Sequence, residues 1–104
     1  YSVLMKQETR ELIPFKRKLI RELPDCWFFK TNERSVAGIP DIIGCYLGGF
    51  FAVERKTVKG KATPLQLHTL GKIARAGGVA MVSTPENEDD VIEAIRENVK
   101  RPAS

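Results

Sequence analysis

The chain has 104 residues, 42% of them hydrophobic and 29% charged, enough for one compact domain with a modest core and too few for a second. With only Cys26, Cys45 and a lone His68, neither a disulfide framework nor a Cys/His zinc site can be assembled, and two buried free thiols in a reducing compartment are expected. Lys and Arg outnumber Asp and Glu by 17 to 13, a net charge of +4 that leans toward a polyanionic partner, while the longest uncharged stretch, Ile42 to Val53, is shorter than the roughly 20 residues a bilayer crossing needs.

No leader pattern opens the chain, and the start at Tyr1 makes residues 1–5 read as tag or trimming. From Lys6 to Leu23, Leu12, Phe15, Leu19, Ile20 and Leu23 recur at helical spacing and predict an amphipathic helix, with Pro14 in its first turn or at a kink. Cys26 to Thr31 is a short aromatic run of strand type, its Trp27, Phe28 and Phe29 expected in the core. Thr31 to Gly38 reads as a loop, and Pro40 then restricts Ile39 to an extended backbone before a second strand, Asp41 to Tyr46. Gly48-Gly49 signals a hairpin into a third, antiparallel strand from Phe50 to Lys56.

After a basic loop, Thr63-Pro64-Leu65-Gln66 has the N-cap, N1 proline and N3 glutamine of a capping box. The helix it opens is expected to turn Leu67, Leu70, Ile73 and Ala74 to a core and to stop at Gly77-Gly78. Val79 to Ser83 is a buried-type strand, and the acidic turn Glu86 to Asp90 leads a last helix carrying Val91, Ile92, Ile95 and Val99. The order α-β-β-β-α-β-α in one domain over residues 1–104 predicts an α/β fold, a mixed sheet flanked by helices with a C-terminal helix, because a strand that follows a long helix cannot pair through a tight turn with its predecessor.

Charge at three strand positions carries the chemistry. If Gly48-Gly49 is a two-residue turn closed by Leu47 and Phe50, Asp41 falls opposite Lys56 and Ile43 opposite Glu54. Side chains alternate with period two, so Asp41, Ile43 and Cys45 share one face with Ala52, Glu54 and Lys56, and both carboxylates come within reach of one cation. Flanked by Ile-Ile and Phe-Phe-Ala-Val, these charges need a reason, since unpaired buried charge is costly. A cross-strand ion pair at the sheet margin is one reason. The other is chemical: paired carboxylates suit Mg²⁺ or Mn²⁺, which activate water and stabilise a developing oxyanion, and an adjacent lysine orients that water. Such a set suits hydrolysis of phosphodiesters by a metal-dependent nuclease.

Gly38-Ile39-Pro40-Asp41, twelve intervening residues, then Glu54-Arg55-Lys56 resembles the PD-(D/E)XK nuclease signature. With the Lys59-Gly60-Lys61 loop and Pro64-x-Gln66, the stretch from about Glu11 to the last helix is similar to the virus-type replication-repair nuclease (VRR-NUC) family, common as stand-alone phage and prophage proteins. The resemblance implies the PD-(D/E)XK nuclease fold, with Asp41, Glu54 and the Arg55 backbone carbonyl as metal ligands, Lys56 as catalytic lysine and Gln66 beside the active site. It also implies a glutamate of the opening helix at the metal centre, which Glu11 fits best because Phe15 and Leu19 follow at spacings of four and eight; Glu8 and Glu22 lie close to the same face. Arg55 departs from the apolar residue common between the glutamate and the lysine of the signature, and is expected to leave the packed face or snorkel. Lys59 and Lys61, with Lys30, Arg34 and Lys72, are candidates for a phosphate-contacting rim.

The expected activity is a Mg²⁺- or Mn²⁺-dependent endonuclease that cuts branched DNA such as Holliday junctions in the cytoplasm, of the bacterial host if phage-encoded. No recognition helix, zinc finger or basic arm is present to read bases, so DNA shape would select the substrate. Stand-alone members of the family are homodimers, and symmetric cleavage of a four-way junction requires two sites related by a two-fold axis. The alternatives are a catalytically inactive nuclease-fold DNA-binding module and an unrelated basic α/β interaction protein whose acids form surface ion pairs.

Overall fold

The computed structural model describes residues 14–31 and 38–100. A helix α1 over 14–22 leads into strands β1 (Cys26–Lys30), β2 (Ile42–Tyr46) and β3 (Gly49–Arg55); helix α2 (Pro64–Arg75), strand β4 (Val79–Ser83) and helix α3 (Glu88–Glu97) follow. The four-stranded sheet runs in the order β1-β2-β3-β4. Its first three strands pair antiparallel and β4 joins β3 parallel, as a strand delivered by a helical crossover must. The sheet is mixed, with helices packed on both faces.

One face carries the core. Phe15 and Leu19 from α1 and Leu23 just after it meet Val91, Ile92 and Ile95 from α3 over Ile42, Phe51 and Val53, each between 0% and 3% exposed. Spacings of three and four on the helices and of two on the strands put these residues on common stripes, and each buried side chain of this size contributes about 1.5–3 kcal/mol. Ile20, expected in the α1 stripe, is 60% exposed, because one residue past Leu19 the helix has turned about 100°.

Helix α2 packs against β4 and β3 from the other face. Of the four residues expected to point inward, Leu70 is buried and Ile73 half-buried, whereas Leu67 and Ala74 are exposed. A helix resting on the two strands β3 and β4 buries one narrow stripe, and Leu67 and Ala74 lie on its flank. The same single helix leaves β1 uncovered on this face. Trp27 and Phe29, expected in the core, are therefore exposed, with ring centroids 5.4 Å apart, while Phe28 between them packs on the core opposite. Cys45 is exposed as well, correcting the expectation of two buried thiols; Cys26 is half-buried beneath α1, its thiol pushed up by burial.

The hairpin departs from its expected register. Tyr46 pairs with Gly49 and Ile42 with Val53, so the turn residues are Leu47 and Gly48, at φ 47° and 86°, the left-handed values of a type I′ connection. The slip relative to a Gly48-Gly49 turn is two residues along the partner strand. It keeps every side chain on its expected face and moves Asp41 from the level of Lys56 to that of Glu54. A residue other than glycine does not fit at position 49, where a Cβ would lie 1.9 Å from the Asn98 carbonyl, and the chain after α3 holds the turn through the Lys100 N–H, which donates to the Leu47 carbonyl at 3.1 Å.

Candidate metal centre and nucleic-acid interface

Asp41 stands one residue before β2, where the backbone is fixed by Thr31: the Thr31 N–H donates to the Asp41 carbonyl at 2.7 Å and its hydroxyl to the Pro40 carbonyl at 2.5 Å. Pro40 is fully buried, and Gly38 at φ 87° lies close on α2, where a Cβ would meet Leu65 and Thr69 at 3.0 Å. The Asp41 carboxylate then accepts the Arg55 backbone N–H at 2.9 Å, beyond the last rung of the β2–β3 ladder. An acid at this position completes the hydrogen bonding of the next strand, a requirement of buried backbone.

Glu54 lies on the same face and at the same level, 3% exposed. Its Oε2 is 3.8 Å from the Lys56 Nζ, and its Oε1 is buried with no hydrogen-bond partner among the described residues. Burial, then the Asp41 carboxyl alongside, push Glu54 from 4.5 up to about 8, Lys56 pulling the other way. Two acids and one ammonium converge, and where Asp41 is expected opposite Lys56, the ion contact Lys56 makes is with Glu54. The donor set consists of oxygens only, with a stranded buried acceptor and like charges side by side, and this suits a small hard dication. Asp41 and Glu54 are the two carboxylates brought to one level on this face. Among the described residues no third His, Cys, Asp or Glu joins them.

Gln66 forms the capping box with Thr63: its side chain accepts the Thr63 N–H at 2.8 Å and its own N–H donates to the Thr63 hydroxyl at 3.2 Å. Glu8 and Glu11 lie outside the described residues. Glu22 does not face the carboxylates: its carboxylate pairs with Arg96 at 3.8 Å, in the last turn of α3 and about 12 Å along that helix from Glu88, at 1.5 Å per residue. Arg55 neither leaves the packed face nor snorkels. It is buried beneath the sheet, its guanidinium 2.7 Å from Glu88 and 3.0 Å from the Ser83 hydroxyl.

The basic candidates divide between the faces. Lys59, Lys61 and Lys72 are exposed on the loop and helix that flank the carboxylates. Lys30 pairs with Ile42 and shares its face, turned toward the α1/α3 layer and away from Asp41. Arg34 is outside the described residues. No acidic residue occurs in the sequence from Lys56 to Pro85, so the segment that carries Lys56, Lys59, Lys61, Lys72 and Arg75 contributes no acid of its own, and the acids described on this face are Asp41 and Glu54, the latter 3.8 Å from Lys56. Acids gather instead on α3, with Glu88, Asp89 and Asp90 in its first turn.

Sequence reasoning missed Thr31, Ser83 and Glu88. Thr31 ends a strand and gives no local signal of the two carbonyls it holds; Ser83 and Glu88 become visible only once Arg55 is known to point inward.

No protein-family model matches the chain, and no curated protein matches it. Among solved structures it is similar to Hjc, a Holliday junction resolvase of the archaeal hyperthermophile Archaeoglobus fulgidus, with 23% identity and a TM-score of 0.48, over 70% of this chain and 69% of that one.

Proposed function

We propose that this chain is a divalent-metal-dependent, structure-selective DNA endonuclease of the PD-(D/E)XK class and VRR-NUC type, acting on branched DNA such as Holliday junctions as a homodimer. One observation carries the reading: Asp41 and Glu54 are brought together at the end of the β2–β3 hairpin, with Glu54 Oε1 buried and unpartnered among the described residues and Lys56 3.8 Å from the same carboxylate. Structural ion pairing does not explain such a site, because one lysine leaves the second acid uncompensated and the fold bears the desolvation.

Asp41, Glu54 and the Arg55 carbonyl would hold Mg²⁺ or Mn²⁺, and a bound dication supplies charge neutralisation at the phosphate and a water of lowered pKa. Glu11 is the further ligand that the family resemblance suggests. Lys56, held beside the acids, donates from Nζ to a phosphate oxygen and orients the attacking water. Gln66 lies in the first turn of α2, next to Leu65, against which Gly38 packs, and its place beside the active site is what the family resemblance suggests. Lys59, Lys61 and Lys72 bind the DNA backbone on this side, a sequence-independent contact that leaves selection to DNA shape. Arg34, which lies outside the described residues, is the further rim candidate, Lys30 being turned to the opposite face, and a second copy of the chain supplies the other cut at a four-way junction. No helix among the described residues is long and apolar enough to cross a membrane, and the cytoplasm is the proposed location.

The test is a cleavage panel of duplex, flap, splayed-arm and four-way-junction DNA with Mn²⁺ or EDTA, alongside Asp41→Asn and Lys56→Ala. Cleavage should require metal, favour the junction and fall at least about 100-fold in either variant, the scale of losing an essential acid–base or electrostatic group, while both variants keep their fold and DNA affinity. Light scattering with junction DNA should give two chains per complex. Metal-dependent cleavage that survives either substitution would refute the site; intact binding with no cleavage by the wild type would leave a DNA-binding module in place of an enzyme.

A further inference from the structure

Arg55 is the residue whose two ends do different things. Successive strand residues point to opposite faces, so its side chain runs away from Glu54 and Lys56 into the α1/α3 layer, where it is 6% exposed. There the guanidinium reaches Glu88 at 2.7 Å and the Ser83 hydroxyl at 3.0 Å, and lies 5.3 Å from the centroid of the Phe15 ring. Its backbone stands in the candidate site: the amide holds the Asp41 carboxylate at 2.9 Å, and the carbonyl is the third metal ligand of the proposed set.

A buried ion pair is a poor stabiliser, since desolvation offsets its Coulombic gain and apolar residues of similar volume do as well. Arg55 continues the stripe of Phe51 and Val53, where an aliphatic side chain would bury with no partner to find. A guanidinium differs from an aliphatic in fixing direction, through a rigid fork that demands acceptors at set angles. Ser83 grips this segment twice, through its hydroxyl on the guanidinium and through its carbonyl on the Lys56 N–H at 2.8 Å. Glu88 is anchored in turn: it lies in the first turn of α3, 3.9 Å from Lys18 of α1. The preceding Asn87 ties that turn to β4 through the Val82 carbonyl at 2.9 Å and the Thr84 N–H at 2.8 Å.

We propose that Arg55 is a positioning residue: the Glu88–Arg55–Ser83 cluster beneath the sheet locks the end of β3, so that the Arg55 N–H holds the Asp41 carboxylate at the level of Glu54 for cation binding. The inference rests on the metal-dependent nuclease reading and extends it to the face of the sheet turned away from DNA.

The test replaces the pair by apolar residues, Arg55→Met with Glu88→Leu, in the full chain. The first readout is the backbone amide proton of residue 55 by NMR in metal-free protein, which is shifted downfield by the carboxylate it serves, with Asp41→Asn as the reference for losing that bond. The second is Mn²⁺ affinity by calorimetry, and the third is kcat against KM on junction DNA. The pair variant should melt within a few degrees of wild type, move the amide in the same direction as Asp41→Asn, bind Mn²⁺ about 10–100-fold more weakly, the usual loss for outer-shell partners, and lose kcat with KM unchanged. An amide or a Mn²⁺ affinity unchanged from wild type overturns the proposal and leaves the cluster as glue between layers. Should the pair variant not fold, Ser83→Ala and Glu88→Gln are read by the same measurements, with smaller shifts of the same sign expected and unchanged values overturning it. If the nuclease reading is what fails, the wild type shows no Mn²⁺-dependent cleavage, while the amide and metal measurements still decide the positioning role.

Discussion

Glu54 concentrates the conflict between stability and chemistry in one side chain. Its folded pKa of about 8 stands above the ordinary 4.5, so the folded chain binds this proton more tightly than the unfolded chain does. Stability drawn from the neutral form is fully present below pH 4.5 and is lost as pH rises through the window up to about 8, by at most about 5 kcal/mol at 1.36 kcal/mol per unit. Thermal melts in EDTA from pH 5 to 9 should show a falling melting temperature. Glu54→Gln should flatten that fall and melt higher than wild type at pH 8, because a neutral amide removes the buried charge beside Asp41. Mn²⁺ should raise the wild-type melting temperature and leave that of Glu54→Gln nearly unmoved, since a ligand stabilises only the state that binds it. A flat wild-type profile would show that Glu54 titrates as an ordinary surface acid.

Among the elements, the β2–β3 hairpin decides where the carboxylates meet, and its turn is the place where local preference loses. Glycine-glycine at 48 and 49 is the stronger turn signal, yet Leu47 takes the left-handed position at φ 47°, at a cost on the order of 1–2 kcal/mol for a residue with a Cβ. The tertiary contact made at this turn is the hydrogen bond from the Lys100 N–H to the Leu47 carbonyl at 3.1 Å, with the chain after α3 lying close against Gly48 and Gly49. Leu47→Asn should therefore stabilise the protein by about 0.5–1 kcal/mol, asparagine being tolerant of that conformation, with cleavage unchanged; denaturant titration reads it, and a destabilised variant would show that leucine packing outweighs backbone strain. Helix α2 is the opposite case. Its capping box, N1 proline and boundaries are legible in Thr63-Pro64-Leu65-Gln66 because a cap is satisfied within its own turn.

On the scale of the whole molecule, charge sorts by layer. The acid-free run from Lys56 to Pro85 supplies α2 and its flanking loop, and the acids that open α3 lie across the sheet from it, two of them beside Lys18 of α1, Asp89 at 2.6 Å and Glu88 at 3.9 Å. DNA should approach the α2 side. Replacing Lys59, Lys61 and Lys72 singly by Ala should each weaken binding about equally across sequences and reduce the salt-dependence slope by about 1, whereas Arg17→Ala in α1 should leave the slope in place. Fluorescence anisotropy across a salt series separates the two outcomes, and equal slopes for all four variants would move the interface elsewhere.

Local chemistry was enough to mark the acids Asp41 and Glu54, the neighbouring Lys56, the helix cap and the α-β-β-β-α-β-α order. Strand alternation and capping are settled within a few residues, and a charge set among apolar neighbours announces itself in one dimension. The level at which Asp41 meets Glu54, the exposure of Trp27 and Phe29, the separation of Lys30 from the other lysines and the partners of Arg55 came only with the fold. Each depends on which distant backbone or helix comes to lie against the strand, and neither turn signals nor periodicity carry that contact.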